Sequence, residues 1–149
     1  MGPGTTKLSE PWSASFVLPG RPKTFKSLRV RHGRNVYAIH SKDKKKAQAC
    51  LQNQKPDIPV IVDQAVNVSA SFHFKRPKSH FKKSGLLKPT APKHILKRPD
   101  IDNCIKFLLD ALQPEVIIDD KLVVEIKVTK KWCNTKDEEA TRVELKTVD

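Results

Sequence analysis

The chain lacks any long hydrophobic run. No segment approaches the ~18 consecutive apolar residues of a spanning helix, which argues against a membrane protein. From Met1 to Leu18 no charged segment is followed by an apolar one, so a signal peptide is not expected. Cysteine is scarce. Cys50, Cys104 and Cys133 form an odd set without a close pair, which argues against a disulfide framework and against a Cys-x-x-Cys zinc site. Reduced thiols in an intracellular protein are the simplest reading. His32, His40, His73, His80 and His94 show no ligand spacing and read as surface residues or phosphate neighbours. No internal repeat and no heptad is visible. Acid is the last scarcity: 16 Asp and Glu stand against 29 Lys and Arg, a net charge of +13 and a pI near 9.8. A field of that sign attracts nucleic acid.

What is present suffices for one domain over residues 1–149, since 149 residues with 38% hydrophobic content can bury a real core. Period-two alternation predicts a first strand through Trp12, Ala14, Phe16 and Leu18, ending at Pro19–Gly20. Val36, Tyr37 and Ile39 suggest a short strand, and Ser41 an N-cap for a thin-faced helix from Lys42 to Asn53. The clearest strand carries Val66, Val68, Ala70, Phe72 and Phe74 on one face. A Pro-rich basic stretch at about 76–99 reads as a long mobile loop, too polar to pack. A helix over Asp100–Leu112 places Ile101, Cys104, Ile105, Leu108 and Leu112 on one stripe. A short strand at Val116–Ile118 follows. Val124, Ile126 and Val128, then Val143 and Leu145, predict two final strands joined as a hairpin across Asn134–Glu139. The expected class is α/β, a small mixed β-sheet packed with two main helices.

The few acidic residues are not scattered. Asp100–Ile101–Asp102 opens the predicted helix, and Asp119–Asp120 precedes a strand. Carboxylates this close repel unless a cation or a proton joins them. Hard divalent cations use carboxylate oxygens together with substrate phosphates. If the helix packs on the sheet, the two pairs can meet. Each pair also has an ordinary explanation, as a helix cap or as a turn. Lys106, one turn beyond Asp102, is either a catalytic cation or an exposed ion pair with Asp110. Arg21, Lys23, Arg29, Arg31, Lys82, Lys83, Lys97 and Arg98 lie in two basic segments suited to a phosphate backbone. Three readings stay open: a nuclease, a catalytically silent nucleic-acid-binding module, and a metal enzyme on another substrate. An EF-hand is excluded, because the required glycine is absent after Asn103–Cys104.

Arg98–Pro99–Asp100–Ile101–Asp102–Asn103–Cys104–Ile105–Lys106, then Leu109–Asp110–Ala111–Leu112, then Asp119–Asp120 with Val123–Val124, closely resembles the RusA family of Holliday junction resolvases. The opening Leu18–Pro19–Gly20–Arg21–Pro22 is also similar. The resemblance implies a RusA-like, dimeric α/β fold that binds branched DNA as a four-way junction. It implies Mg²⁺ or Mn²⁺ and paired symmetric nicks in recombination and repair. Residue by residue, it implies that Asp100, Asp102 and Asp120 are metal-site aspartates and Lys106 the essential lysine. Asp119 matches the first member of the Asp-Asp pair, with a lesser role.

Overall fold

The computed structural model describes residues 12–25, 36–54 and 59–148. Four strands form one mixed sheet: β1 (Ser13–Pro19), β2 (Ala65–Lys75), β3 (Val123–Cys133) and β4 (Ala140–Val148), in the order β1-β4-β2-β3. β4 runs antiparallel to both β1 and β2, while β2 and β3 are parallel. Parallel neighbours need a crossover. Here it is the chain through helix α2 (Ile101–Ala111), which lies beside helix α1 (Val36–Gln54). The fold is α/β, a mixed four-stranded sheet with two helices.

Alternation in the strands decides which face is buried. Val66, Val68, Ala70, Phe72 and Phe74 of β2, Val143 and Leu145 of β4, and Ala14 and Phe16 of β1 share one core. The helices close it with Ala47 and Leu51 from α1, and Cys104, Phe107, Leu108 and Ala111 from α2. On the opposite face, Ser15, Ser69, Arg142 and Glu144 are exposed. The intermittent apolar stripe of α2 is set by two neighbours, α1 and β3. Its buried sector therefore includes Phe107, whereas Ile101 stays 39% exposed.

Four expectations are corrected. β3 and β4 are not a hairpin; β2 lies between them. Alternation identifies a strand but not its neighbours, and the central β2 uses both its edges. Residues 36–39 are not a strand but the first turn of α1, so Ser41 is internal rather than a cap. The β-favouring Val36, Tyr37 and Ile39 were outweighed by the Lys-, Ala- and Gln-rich segment that follows, a good helix former. Val116–Ile118 reduces to one bridge, Ile61 to Ile117.

The basic stretch, finally, is folded onto the sheet rather than mobile. It contains a 3₁₀ turn at Lys78–His80 and a Phe81–Leu87 bridge. Between the bridged residues, Gly85 takes φ +90° and its N–H reaches the Lys82 carbonyl. His80 and Ile95 are buried, so His80 is not a surface residue. The Arg76 guanidinium donates to the Pro92 carbonyl at 2.7 Å, faces His80 Nδ1 at 3.3 Å and covers the Trp132 ring. His80 meets Trp132 edge-on at 5.1 Å. A polar segment packs here because one cation and two rings hold it.

The two outer strands are treated differently. On β1, the Gln54 side-chain amide accepts from the Val17 N–H at 2.8 Å and donates to the Val17 carbonyl. A helix end thereby occupies a strand edge. On β3, Val124 is 63% and Ile126 44% exposed. Among the described residues, β3 pairs only with β2. No described helix is long and apolar enough to cross a membrane.

Candidate functional site

The start of α2 is held from two sides. Lys130 of β3 donates to the Pro99 carbonyl at 3.0 Å and the Lys97 carbonyl at 3.2 Å. The Phe25 N–H donates to the Asn103 carbonyl at 2.9 Å. Asp100 occupies the N-cap position, yet its side chain makes no capping hydrogen bond. The ordinary explanation of this aspartate is therefore unrealised. Asp102, in the first turn, is exposed beside the positive helix end. Lys106 Nζ lies 4.0 Å from Asp102, with both side chains exposed. Asp110 faces Lys44 at 3.4 Å.

A cleft lined by Arg21, Thr24, Arg98, Pro99, Asp100 and Asn103 opens at this helix end. Its continuation adds Pro22, Lys23 and Asp43. Arg21 is positioned by the Phe74 ring, 5.2 Å from its guanidinium, and by buried Glu139 at 3.7 Å. Glu139 also accepts from the Lys75 N–H. Cations that can meet phosphate oxygens thus stand beside the Asp100 carboxylate. Lys82 and Lys83 are displayed on the turn of the basic stretch, and Lys97 is exposed. Arg29 and Arg31 lie outside the described residues.

The second acidic pair is elsewhere. Asp120 N–H donates to Gln113 Oε1 at 3.1 Å, and Gln113 reaches back to the Leu109 carbonyl at 2.9 Å. Asp120 is tied to the end of α2, whereas Asp100 and Asp102 stand at its start. A helix of this length is about 16 Å long, so the two pairs do not meet in one chain. Among the described residues, no three His, Cys, Asp or Glu side chains are grouped to hold a metal ion. Asp119 realises its ordinary role. Its carboxylate accepts from the Lys121 N–H at 2.9 Å and caps the 3₁₀ turn Asp120–Leu122. That N–H is the main cause holding the Asp119 carboxyl below the usual carboxylate range.

Residue patterns missed the supporting side chains. Lys130 had a signal: it falls in the phase of Val124, Ile126 and Val128, where a lysine is out of place. Glu139 and Trp132 had none, because their partners are distant in sequence, and Gln113 had none, because its bonds depend on how the chain leaves α2.

A comparison with curated proteins found no match. The family model described as endodeoxyribonuclease RusA matches residues 19–146, from the end of β1 into β4, so it spans the cleft, both acidic pairs and the basic stretch. With its sheet, helices and acidic motif in place, the chain belongs to the RusA family of endodeoxyribonucleases, the Holliday junction resolvases.

Proposed function

We propose that this resolvase is a metal-dependent homodimer that nicks two opposed strands of a four-way DNA junction, with Asp100, Asp102 and Asp120 as its metal-site aspartates. The observation that carries this reading is the cleft where Arg21 and Arg98 stand beside the uncapped Asp100. The donor set fits: magnesium is usually held by one or two carboxylates plus substrate phosphates, and Asp100 and Asp102 supply such a pair. Bound there, Mg²⁺ or Mn²⁺ supplies Lewis-acid polarisation of the phosphoryl oxygen and lowers the pKa of attacking water.

The chain's own residues do the rest. Arg21, Lys23, Lys97 and Arg98 orient the phosphate backbone, and Lys82 and Lys83 hold an arm. Arg29 and Arg31 belong to the same basic set. Lys106 neutralises charge that develops on the phosphoryl oxygens in the transition state. Asp119 ranks below Asp120 because its carboxylate is engaged by the Lys121 N–H. Three unpaired thiols suit a reducing intracellular compartment.

The test is nicking of a synthetic four-way junction against linear duplex, with and without Mg²⁺. Asp102→Asn and Asp120→Asn should each lower cleavage by orders of magnitude and leave junction binding in place, because binding depends on Lys and Arg. Near-normal nicking by either variant would remove that residue from the metal site.

A further inference from the structure

Three cavities follow one another from the start of α2. The first, bordered by Arg21, Arg98 and Asp100, is where a phosphate is held under the proposed function. The second shares Arg21, Thr24 and Pro99 with it and adds Lys23 and Asp43. The third shares Arg21, Pro22, Lys23 and Asp43 with the second and has a volume of about 280 Å³. Arg21 borders all three, so a continuous path leads from the phosphate cations into the third. That cavity is built differently from the first. Leu18 and Thr141, paired across β1 and β4, meet Phe107 of α2 there. Asp43, Lys46, Ala47 and Cys50 join them from α1, at the i, i+3, i+4 and i+7 spacing of one helix face. Phe107 and Thr141 are each 4% exposed. Among the described residues, the Thr141 hydroxyl makes no hydrogen bond and Asp43 makes no ion pair. The inner wall is therefore apolar with one hydroxyl, and the rim carries one carboxylate among the cations Arg21, Lys23 and Lys46.

We propose that this third cavity takes an unstacked base of the junction strand, beside the phosphate held at Asp100, and that Asp43 selects a base with an exocyclic amino group. The proposal deepens the nuclease reading of the cleft and rests on it. The volume falls at the low end of the ~300–1,000 Å³ of ligand pockets, which suits one ring system and excludes a duplex. Extruded bases are recognised between apolar side chains that pack on the ring, with hydrogen bonds to its edge. The rim cations hold the backbone of the same strand at the mouth. A carboxylate only accepts, so it matches an amino group. Thymine has none, and its one edge N–H sits between two carbonyl oxygens that a carboxylate repels. A base at an open branch point has lost a stacking neighbour, so extruding it costs less than in a duplex. The same cavity thereby favours branched over linear DNA.

Cys50 reports on the cavity it lines. Cys104 and Cys133 are buried, and burial pushes the Cys104 thiol up to about 11, so iodoacetamide reaches Cys50 first. Labelling is followed by mass spectrometry without divalent metal, where the junction is bound and not cut. A four-way junction should slow Cys50 labelling by about tenfold, and the same junction made abasic at the nucleotides flanking the mapped nick should bind and leave it nearly unchanged. Equal protection by both junctions overturns the base pocket. So does a Cys50 as unreactive without DNA as the two buried thiols, because the cavity is then filled by the chain itself. Labelling needs neither metal nor cleavage, so its outcome is separate from that of the metal-site variants.

Nicking rates on junctions that differ only at the flanking base test Asp43. The wild type should cut the thymine junction slowest. Asp43→Asn keeps the size and gains a donor, so it should shrink the preference against thymine by about tenfold. An unchanged preference in a variant with the wild-type melting temperature overturns Asp43 as the selecting group.

Discussion

At the scale of single residues, the site depends on side chains left without their usual structural work. Asp100 stands where a cap belongs and does not cap; Asp119 caps and is thereby occupied. Lys106 is the sharpest case. Its neighbour is Asp102, 4.0 Å away in water. An exposed pair of this kind contributes under ~1 kcal/mol. Lys106→Ala should therefore abolish cleavage of a four-way junction while the melting temperature hardly moves. Retained activity with lowered stability would make the lysine a structural one. The aspartates, the lysine and Arg21 stood out as candidates in the sequence because metal and phosphate chemistry uses particular residue types at short spacings. Gln113 did not, because its bonds to the Leu109 carbonyl and the Asp120 N–H depend on how the chain leaves the helix, and the phase that marked Lys130 did not name the carbonyls it holds.

His80 carries a pH signature. Burial, then the charges of Arg76, Lys97 and Lys88, lowers its pKa below the ordinary 6.5. Nδ1 faces the Arg76 guanidinium at 3.3 Å, so the neutral ring is the one that fits. A depressed folded pKa means that the unfolded chain takes the proton first as pH falls. The stabilisation is whole above about pH 6.5 and is lost as pH drops through the lowered folded value. A melting temperature measured from pH 7.5 to 5 should fall with acid, and His80→Phe should flatten that dependence. His73, lowered by burial and Arg142, leaves a residual slope. An unchanged profile in the variant would assign the whole slope to other groups.

At the scale of elements, strands were easier to read than their pairing. The alternation of β2 and β4 marked the buried face residue by residue. Yet it could not show that β2 takes the place between β3 and β4, because pairing is decided by the crossover through α2. The basic stretch was misread for a related reason. Its lysines are solvated, but its anchors are single residues, His80, Ile95 and Arg76, invisible to a composition count. Being ordered, its turn presents Lys82 and Lys83 in place before DNA arrives. Lys82, Lys83 and Lys88 replaced together by Ala should lower the salt dependence of junction affinity by up to about three units of ~0.9. Equal slopes for wild type and triple variant would mean that the turn does not touch DNA.

At the scale of the whole molecule, a basic exterior surrounds a small acidic centre. The net charge of +13 brings DNA to the protein from any direction. Under the proposed function, the cleft beside Asp100 is where a phosphate stops.

The amide of Gln54 seated on Val17 bears on how the sheet ends. A sheet with two open edges adds copies head to tail, and nothing in that geometry terminates growth. Here one margin is stoppered from within the same chain. Antiparallel pairing confined to the opposite margin would be isologous and would close at two copies. A single glutamine at a helix terminus thus blocks one route to open-ended strand addition. Gln54→Ala would reopen that margin, and the difference would be visible as turbidity.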